Sequence, residues 1–200
     1  MQRSALATVV LTFGLLTSSL APAWAGPATI AGAFKAASMA PMNPKKATLA
    51  PMAYVIFCSK NPGECARTGG SADVVSLDDG MVALLDQVNR DVNKSIRPKA
   101  DRPKGPMKDI WSLAPREGDC EDFAITKRHR LMAQGIPSSA LLLAVARTSD
   151  GEGHAVLVVR TSDGDVVLDN RTSRIRPWRE AGLSWVKMQS PEDPRRWVSL

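Results

Sequence analysis

The chain has 200 residues, 44% apolar and 23% charged, with 26 Lys and Arg against 20 Asp and Glu for a formal charge of +6 at pH 7. That is enough apolar material for one packed core, which excludes a chain disordered throughout and makes a single domain the default. The positive excess suits anionic surroundings, yet no basic stripe interleaved with aromatics is present, which argues against a nucleic-acid partner.

Arg3 opens the chain with a positive charge, and residues 5–21 are mostly apolar but broken by Thr12, Gly14, Thr17, Ser18 and Ser19. Ala23-Trp24-Ala25 then offers the small-x-small pattern read by signal peptidase. Residues 1–25 therefore read as a cleaved signal peptide rather than a span, and no later stretch is apolar enough to cross a bilayer. Export to the periplasm or secretion is expected. Residues 26–50, rich in Ala, Pro, Met and Lys without a sustained period, read as a flexible leader into a folded domain over 51–200.

The domain opens with Met52 to Cys58, short and apolar enough for a strand or a packed extended segment. Cys58 and Cys65 flank the turn-forming Asn61-Pro62-Gly63, and an oxidising compartment would let them pair as a disulfide. A zinc half-site is the alternative, but no second Cys/His pair stands at ligand spacing. From Ser76 to Ile96 the apolar residues Leu77, Met81, Leu84, Leu85, Val88, Val92 and Ile96 recur at helical spacing. Residues 97–110, with three prolines among charges, read as a surface loop, and Trp111 returns the chain to the core.

A second helix begins at Asp119, which can serve as N-cap with Asp122 completing a capping box, and it ends at Gly135 and Pro137. The run Lys127-Arg128-His129-Arg130 is read as its solvated face. Three β-rich runs follow at 140–148, 154–161 and 166–169, separated by Asp150-Gly151 and Asp163-Gly164. The middle run is apolar on both alternating faces and should be central and covered on both sides. Residues 184–189 and 196–200 look like further strands, with Trp178, Trp185 and Trp197 as packing anchors. The fold class is α+β: an antiparallel sheet packed against a helix that carries a cysteine at its N-terminus.

That cysteine, Cys120, is the chemistry-bearing residue. A thiol in the first turn of a helix meets unpaired backbone N–H groups and the positive end of the dipole, which favours the nucleophilic thiolate. The chain has two histidines to act as its base. His129, nine residues on, is about half a turn out of phase at roughly 100° per residue and points away. His154, at the start of the central strand between Gly153 and Ala155, is left. Asp169, at the end of the next strand, is the best placed carboxylate to orient it, ahead of Asp165 and Asn170. A tight hairpin centred on Asp163-Gly164 would leave Asp169 about 13 Å along the strand from His154, so a bulge, a shifted turn or strong twist must close the gap. Trp111 is a candidate second oxyanion donor beside the Cys120 amide, with a core aromatic as the plainer role.

Gly118-Asp119-Cys120-Glu121-Asp122-Phe123-Ala124, Lys127-Arg128-His129-Arg130-Leu131, Gly151-Glu152-Gly153-His154, Leu168-Asp169-Asn170 and the terminal Trp185–Ser190 and Trp197–Leu200 stretches together resemble the bacterial transglutaminase-like cysteine proteinases, the family of LapG-like periplasmic proteases. The resemblance runs from about Tyr54 to the C-terminus. It implies a papain-like, transglutaminase-type fold and a Cys120–His154–Asp169 triad, with no cofactor required for the chemistry. It also implies calcium at Asp119 and Glu121, although capping and the helix dipole account for these acids nearly as well, and calcium needs about six to eight oxygens.

Three function classes follow. The first is an exported endopeptidase acting on a protein or peptide in the cell envelope, with a surface adhesin as the substrate implied by the resemblance and a membrane-bound regulator left open as a partner. The second is a transglutaminase or amidase acting on envelope peptides, since only the species that resolves the thioester differs. The third is a non-catalytic, calcium-responsive binding module.

Overall fold

The computed structural model describes residues 40–69, 74–100 and 109–200, so the expected signal peptide and residues 26–39 of the leader lie outside the described residues. Seven strands form one antiparallel sheet in the order β1-β9-β8-β4-β5-β6-β7. They are β1 (Ala47–Thr48), β4 (Leu141–Arg147), β5 (Gly153–Thr161), β6 (Gly164–Leu168), β7 (Arg176–Pro177), β8 (Ser184–Gln189) and β9 (Trp197–Ser199). A two-stranded parallel pair, β2 (Arg97–Pro98) with β3 (Glu117–Gly118), ties the end of one helix to the start of another. No helix among the described residues is long and apolar enough to cross a membrane.

Among the described residues three α-helices accompany the sheet: α1 (Met52–Lys60), α2 (Asp79–Ser95) and α3 (Cys120–Ala133). In α2 the apolar stripe does what its period requires, burying Leu85, Val88 and Val92 beneath a start capped by Asp78, whose carboxylate accepts from the Met81 N–H at 2.8 Å. The run 52–58 is helical rather than extended. Period alone does not separate the two states over seven apolar residues. Here Tyr54 decides: it is buried against Trp111 and Trp197, at ring-centroid distances of 5.3 and 5.5 Å, and its hydroxyl donates to the Pro194 carbonyl.

The central strand β5 is covered on both sides, as its sequence requires. Leu157 and Val159 face the main core with α2, α3 and Trp111, while Val156 and Val158 join Met42, Leu142, Val167 and Met188 on the opposite face. Residues 40–50 depart from the expected flexible leader. Met42 is buried on that second face and its N–H donates to Asp165 at 2.7 Å, the Trp178 indole donates to the Ala40 carbonyl, and Ala47–Thr48 adds an edge strand to β9. The segment lacks a period because scattered contacts, rather than one buried face, hold it.

Helix α3 is enclosed on nearly all sides, its buried residues running without a gap from Glu121 to Arg128. The expectation that Lys127 and Arg128 lie on a solvated face is therefore wrong: they are 0% and 2% exposed. Arg128 donates through Nε to the Leu141 carbonyl and through Nη1 to the Glu64 carbonyl, which anchor the helix to β4 and to the 62–65 turn.

Candidate active site

Cys120 is the first residue of α3 and a free, half-buried thiol. The turn before it is built around Asp122. One carboxylate oxygen accepts the Asp119 N–H at 3.3 Å, completing its side of a capping box, and the other accepts the Ser112 N–H at 2.6 Å. A Cβ on Gly118 would stand 2.1 Å from Asp122 Oδ2, so glycine precedes the Asp-Cys pair because the capping carboxylate occupies that space.

His154 is buried at the start of β5 opposite Ala146, and its Nε2 lies 2.9 Å from Asp169 Oδ1. The hairpin register closes the gap expected from the sequence. The β5–β6 loop is Ser162-Asp163, so that Thr161 pairs with Gly164 and Leu157 with Leu168. Carrying that register one residue further sets Asp169 opposite Val156, on the same face as His154 and diagonal to it, within reach of a side chain. A turn shifted by one residue thus replaces the bulge or twist that a hairpin centred on Asp163-Gly164 would have needed.

Arg171 completes the support of Asp169. Its backbone N–H donates at 2.9 Å and its guanidinium reaches both carboxylate oxygens, with Nη2 at 2.8 Å. Burial would raise the Asp169 pKa, but the hydrogen bonds from His154 and Arg171 hold it far below the usual carboxylate range. Burial would likewise lower that of His154, yet the hydrogen bonds and charges of Asp169 and Cys120 push it up to about 9. The imidazolium is therefore the form held at neutral pH. With Nε2 committed to Asp169, Nδ1 is the nitrogen left for the thiol, whose sulfur also accepts the Ala155 N–H at 3.3 Å.

On its other side the thiol donates to Glu121 Oε2 at 3.2 Å. Asp109, Asp119 and Glu121 gather there, each offering an oxygen, all within 4.8 Å of one another. Burial first, then hydrogen bonds to Asp109 and Asp119 and the negative charges around it, hold Glu121 protonated far above the usual range. Oxygens that share one cation at about 2.3–2.6 Å lie no more than roughly 5 Å apart, so the cluster has the spacing and the hard-oxygen chemistry for calcium. Asp119 and Glu121 were legible in the sequence, whereas Asp109 was passed over because it closes a proline-rich loop ten residues upstream of Asp119. The Trp111 indole donates to Asp109 Oδ2 at 3.3 Å, which commits it to the acid cluster rather than to an oxyanion.

The remaining candidates lie apart from this centre. His129 pairs with Glu64 at 2.6 Å, facing away from the thiol. Cys58 and Cys65 are joined by a disulfide that locks α1 to the turn beneath α3. Asp165 takes the Met42 N–H and lies in β6, away from His154.

A free thiol at a helix N-terminus, facing a histidine on a central antiparallel strand with an aspartate behind it, defines a thiol hydrolase of the papain-like, transglutaminase-type class. The family profile described as bacterial transglutaminase-like cysteine proteinase matches residues 44–200, and the chain belongs to that family as a cysteine peptidase. Among solved structures it is similar to calcium-bound LapG of Legionella pneumophila, at 26% identity over 62% of this chain and 71% of that one, with a TM-score of 0.52. The EGTA-treated form of the same protein aligns at 28% identity over 56% and 64%, with a TM-score of 0.48. No curated protein matches the chain.

Proposed function

We propose that this protein is an exported cysteine endopeptidase that cleaves a polypeptide of the cell envelope through Cys120, His154 and Asp169. The observation that carries the reading is the one-residue register shift that sets Asp169 against His154 while the Cys120 sulfur abuts the first turn of the same strand. Cys120, as thiolate, attacks the peptide carbonyl carbon; a C–S bond forms and the carbonyl electrons move to oxygen, met by the Cys120 backbone N–H. The His154 imidazolium gives its Nδ1 proton to the nitrogen as the C–N bond breaks. Water then attacks the thioester with neutral His154 taking its proton, and the thiolate leaves. Asp169 keeps Nε2 engaged throughout, so Nδ1 is always the nitrogen that exchanges the proton.

Calcium would be held by Asp109, Asp119 and Glu121, where it would replace the proton on Glu121 and fix the loop before Cys120. The calcium-bound state of the similar LapG structure supports this assignment. Export rests on the signal-like residues 1–25 and on a disulfide suited to an oxidising compartment. A surface adhesin as substrate and a membrane-bound regulator as partner are extensions of the same reading, drawn from the family resemblance.

The test is incubation of residues 26–200 with a proteome-derived peptide library, with calcium or EGTA, followed by mass spectrometry of new termini. Parent protein is expected to generate them, Cys120→Ala none, and His154→Ala about 10³-fold fewer. Absence of new termini, together with a Cys120 alkylation rate indifferent to His154→Ala, would sink the peptidase reading. Incorporation of an added amine in place of water would move the protein to the transglutaminases.

A further inference from the structure

Lys127 follows Cys120 by seven residues on α3, about 20° short of two full turns at roughly 100° per residue, so it lies beneath the thiol on nearly the same face. It is 0% exposed and its Nζ has no hydrogen-bond partner among the described residues. A buried ammonium without a partner is among the costliest arrangements a core can hold, so its surroundings must explain it.

The segment around Asp169, whose charge acts on Lys127, holds buried acceptors that lack donors. Asn89 and Asn93, one turn apart on α2, both donate through Nδ2 to the Thr172 carbonyl at 3.1 Å, and Asn93 Nδ2 also donates to the Asp169 carbonyl at 3.1 Å. The amide nitrogens being committed to carbonyls, the carboxamide oxygens must point elsewhere. Asn89 Oδ1, Asn93 Oδ1 and, beside Asp169, Asn170 Oδ1 are all buried without a partner. Three acceptors left open match the three N–H donors of one ammonium.

Burial lowers the Lys127 pKa to about 7, and the charge that opposes this is Asp169, itself neutralised by His154 and Arg171. α2 turns carboxamides toward the Asp169–Thr172 segment, while its Asp86 and Arg90 pair with each other at the surface.

We infer that Lys127 is a positioning residue of the active site: its ammonium donates through bound water to the carboxamide oxygens of Asn89, Asn93 and Asn170. It thereby pins the segment Asp169–Thr172 that holds the carboxylate against His154. α3 then does two jobs from one face, presenting the thiol at its first turn and bracing the aspartate two turns below. The inference rests on the Cys120–His154–Asp169 reading.

The test uses the chain's two histidines, whose ring resonances can be followed by NMR against pH in residues 26–200. In the parent, His154 should titrate near 9, well apart from His129. Lys127→Met, which keeps the volume, should loosen Asp169 and weaken proton binding at His154 about tenfold, with His129 unmoved. Loss of a nearby cation alone would strengthen proton binding at His154, so a shift in that direction, or none, would overturn the positioning role. Asn93→Leu removes the clamp from the α2 side and should weaken His154 in the same sense.

A double-mutant cycle tests the juxtaposition through unfolding. Asn93→Asp should be tolerated beside Lys127 and cost at least tenfold more in folding constant beside Met, whereas additivity would overturn the clamp. An inert Cys120 alongside strong coupling would sink the peptidase reading and leave the clamp in place. Cleavage alongside additivity would do the reverse.

Discussion

Asp169 and Glu121 are buried carboxylates on either side of one thiol, and they are driven in opposite directions. Asp169 meets donors, a bidentate guanidinium, a backbone N–H and an imidazolium, and stays ionised. Glu121 meets two further carboxylates in the same degree of burial and keeps its proton. The sign of the shift is set by the partners rather than by the depth: a carboxylate among donors becomes a fixed negative charge, and one among acids keeps its proton.

The largest effect that could break this contrast is Asp169→Asn. The amide cannot hold the imidazolium, and cleavage should fall by about 10³–10⁴ while peptide binding survives, measured as kcat against KM. A loss below tenfold would mean that Asp169 does not orient His154.

Glu121→Gln should act on the other side. Calcium affinity, read by isothermal titration, should drop by about 10²-fold or more because a buried oxygen anion is replaced by an amide. In the parent, calcium binding should release a proton from Glu121 and so tighten as pH rises, a dependence that Gln abolishes.

The same contrast predicts opposite pH linkages of stability. Asp169 binds its proton more weakly folded than unfolded, so its contribution is present above about pH 4 and lost as pH falls through the depressed folded value. Glu121 binds its proton more tightly when folded, so the calcium-free protein should lose stability as pH rises above about 4, where the unfolded glutamate ionises. His154, raised to about 9, contributes stability below its ordinary value near 6.5 that fades as pH climbs through 9. Urea unfolding of the parent, Glu121→Gln and His154→Gln across pH 4–10 should separate these, each worth about 1–3 kcal/mol.

A smaller effect tests Asp122, whose carboxylate is used on the backbone. Gly118→Ala forces a methyl into the space of Asp122 Oδ2, and unfolding should show a loss of about 1–3 kcal/mol. An unchanged midpoint would show that the cap is free to move.

Much of the site could be read in advance because it follows local rules. Cys120 lies at a helix start that Asp119 and Asp122 announce, and His154 opens a strand whose apolar run marks it as central. What escaped depends on neighbours distant in sequence. Asp109 joins the acid cluster only through the loop that Asp122 and Thr126 hold, the latter by accepting the Ala114 N–H at 2.9 Å. Lys127 and Arg128 look like surface residues until α2, β5 and the 62–65 turn close around their helix.

The sequence by itself determined the periods, caps and turn residues, and with them the helices α2 and α3, the strands β4 to β6 and β8, and the candidate nucleophile Cys120 with its candidate base His154. The tertiary structure alone decided the state of Met52–Lys60, the packing of residues 40–50, the one-residue register of the β5–β6 hairpin and the burial of Lys127. The division has a physical reason. Local backbone preferences are written over a few residues, whereas register, burial and the protonation of buried acids are set by groups that meet only when the chain has folded.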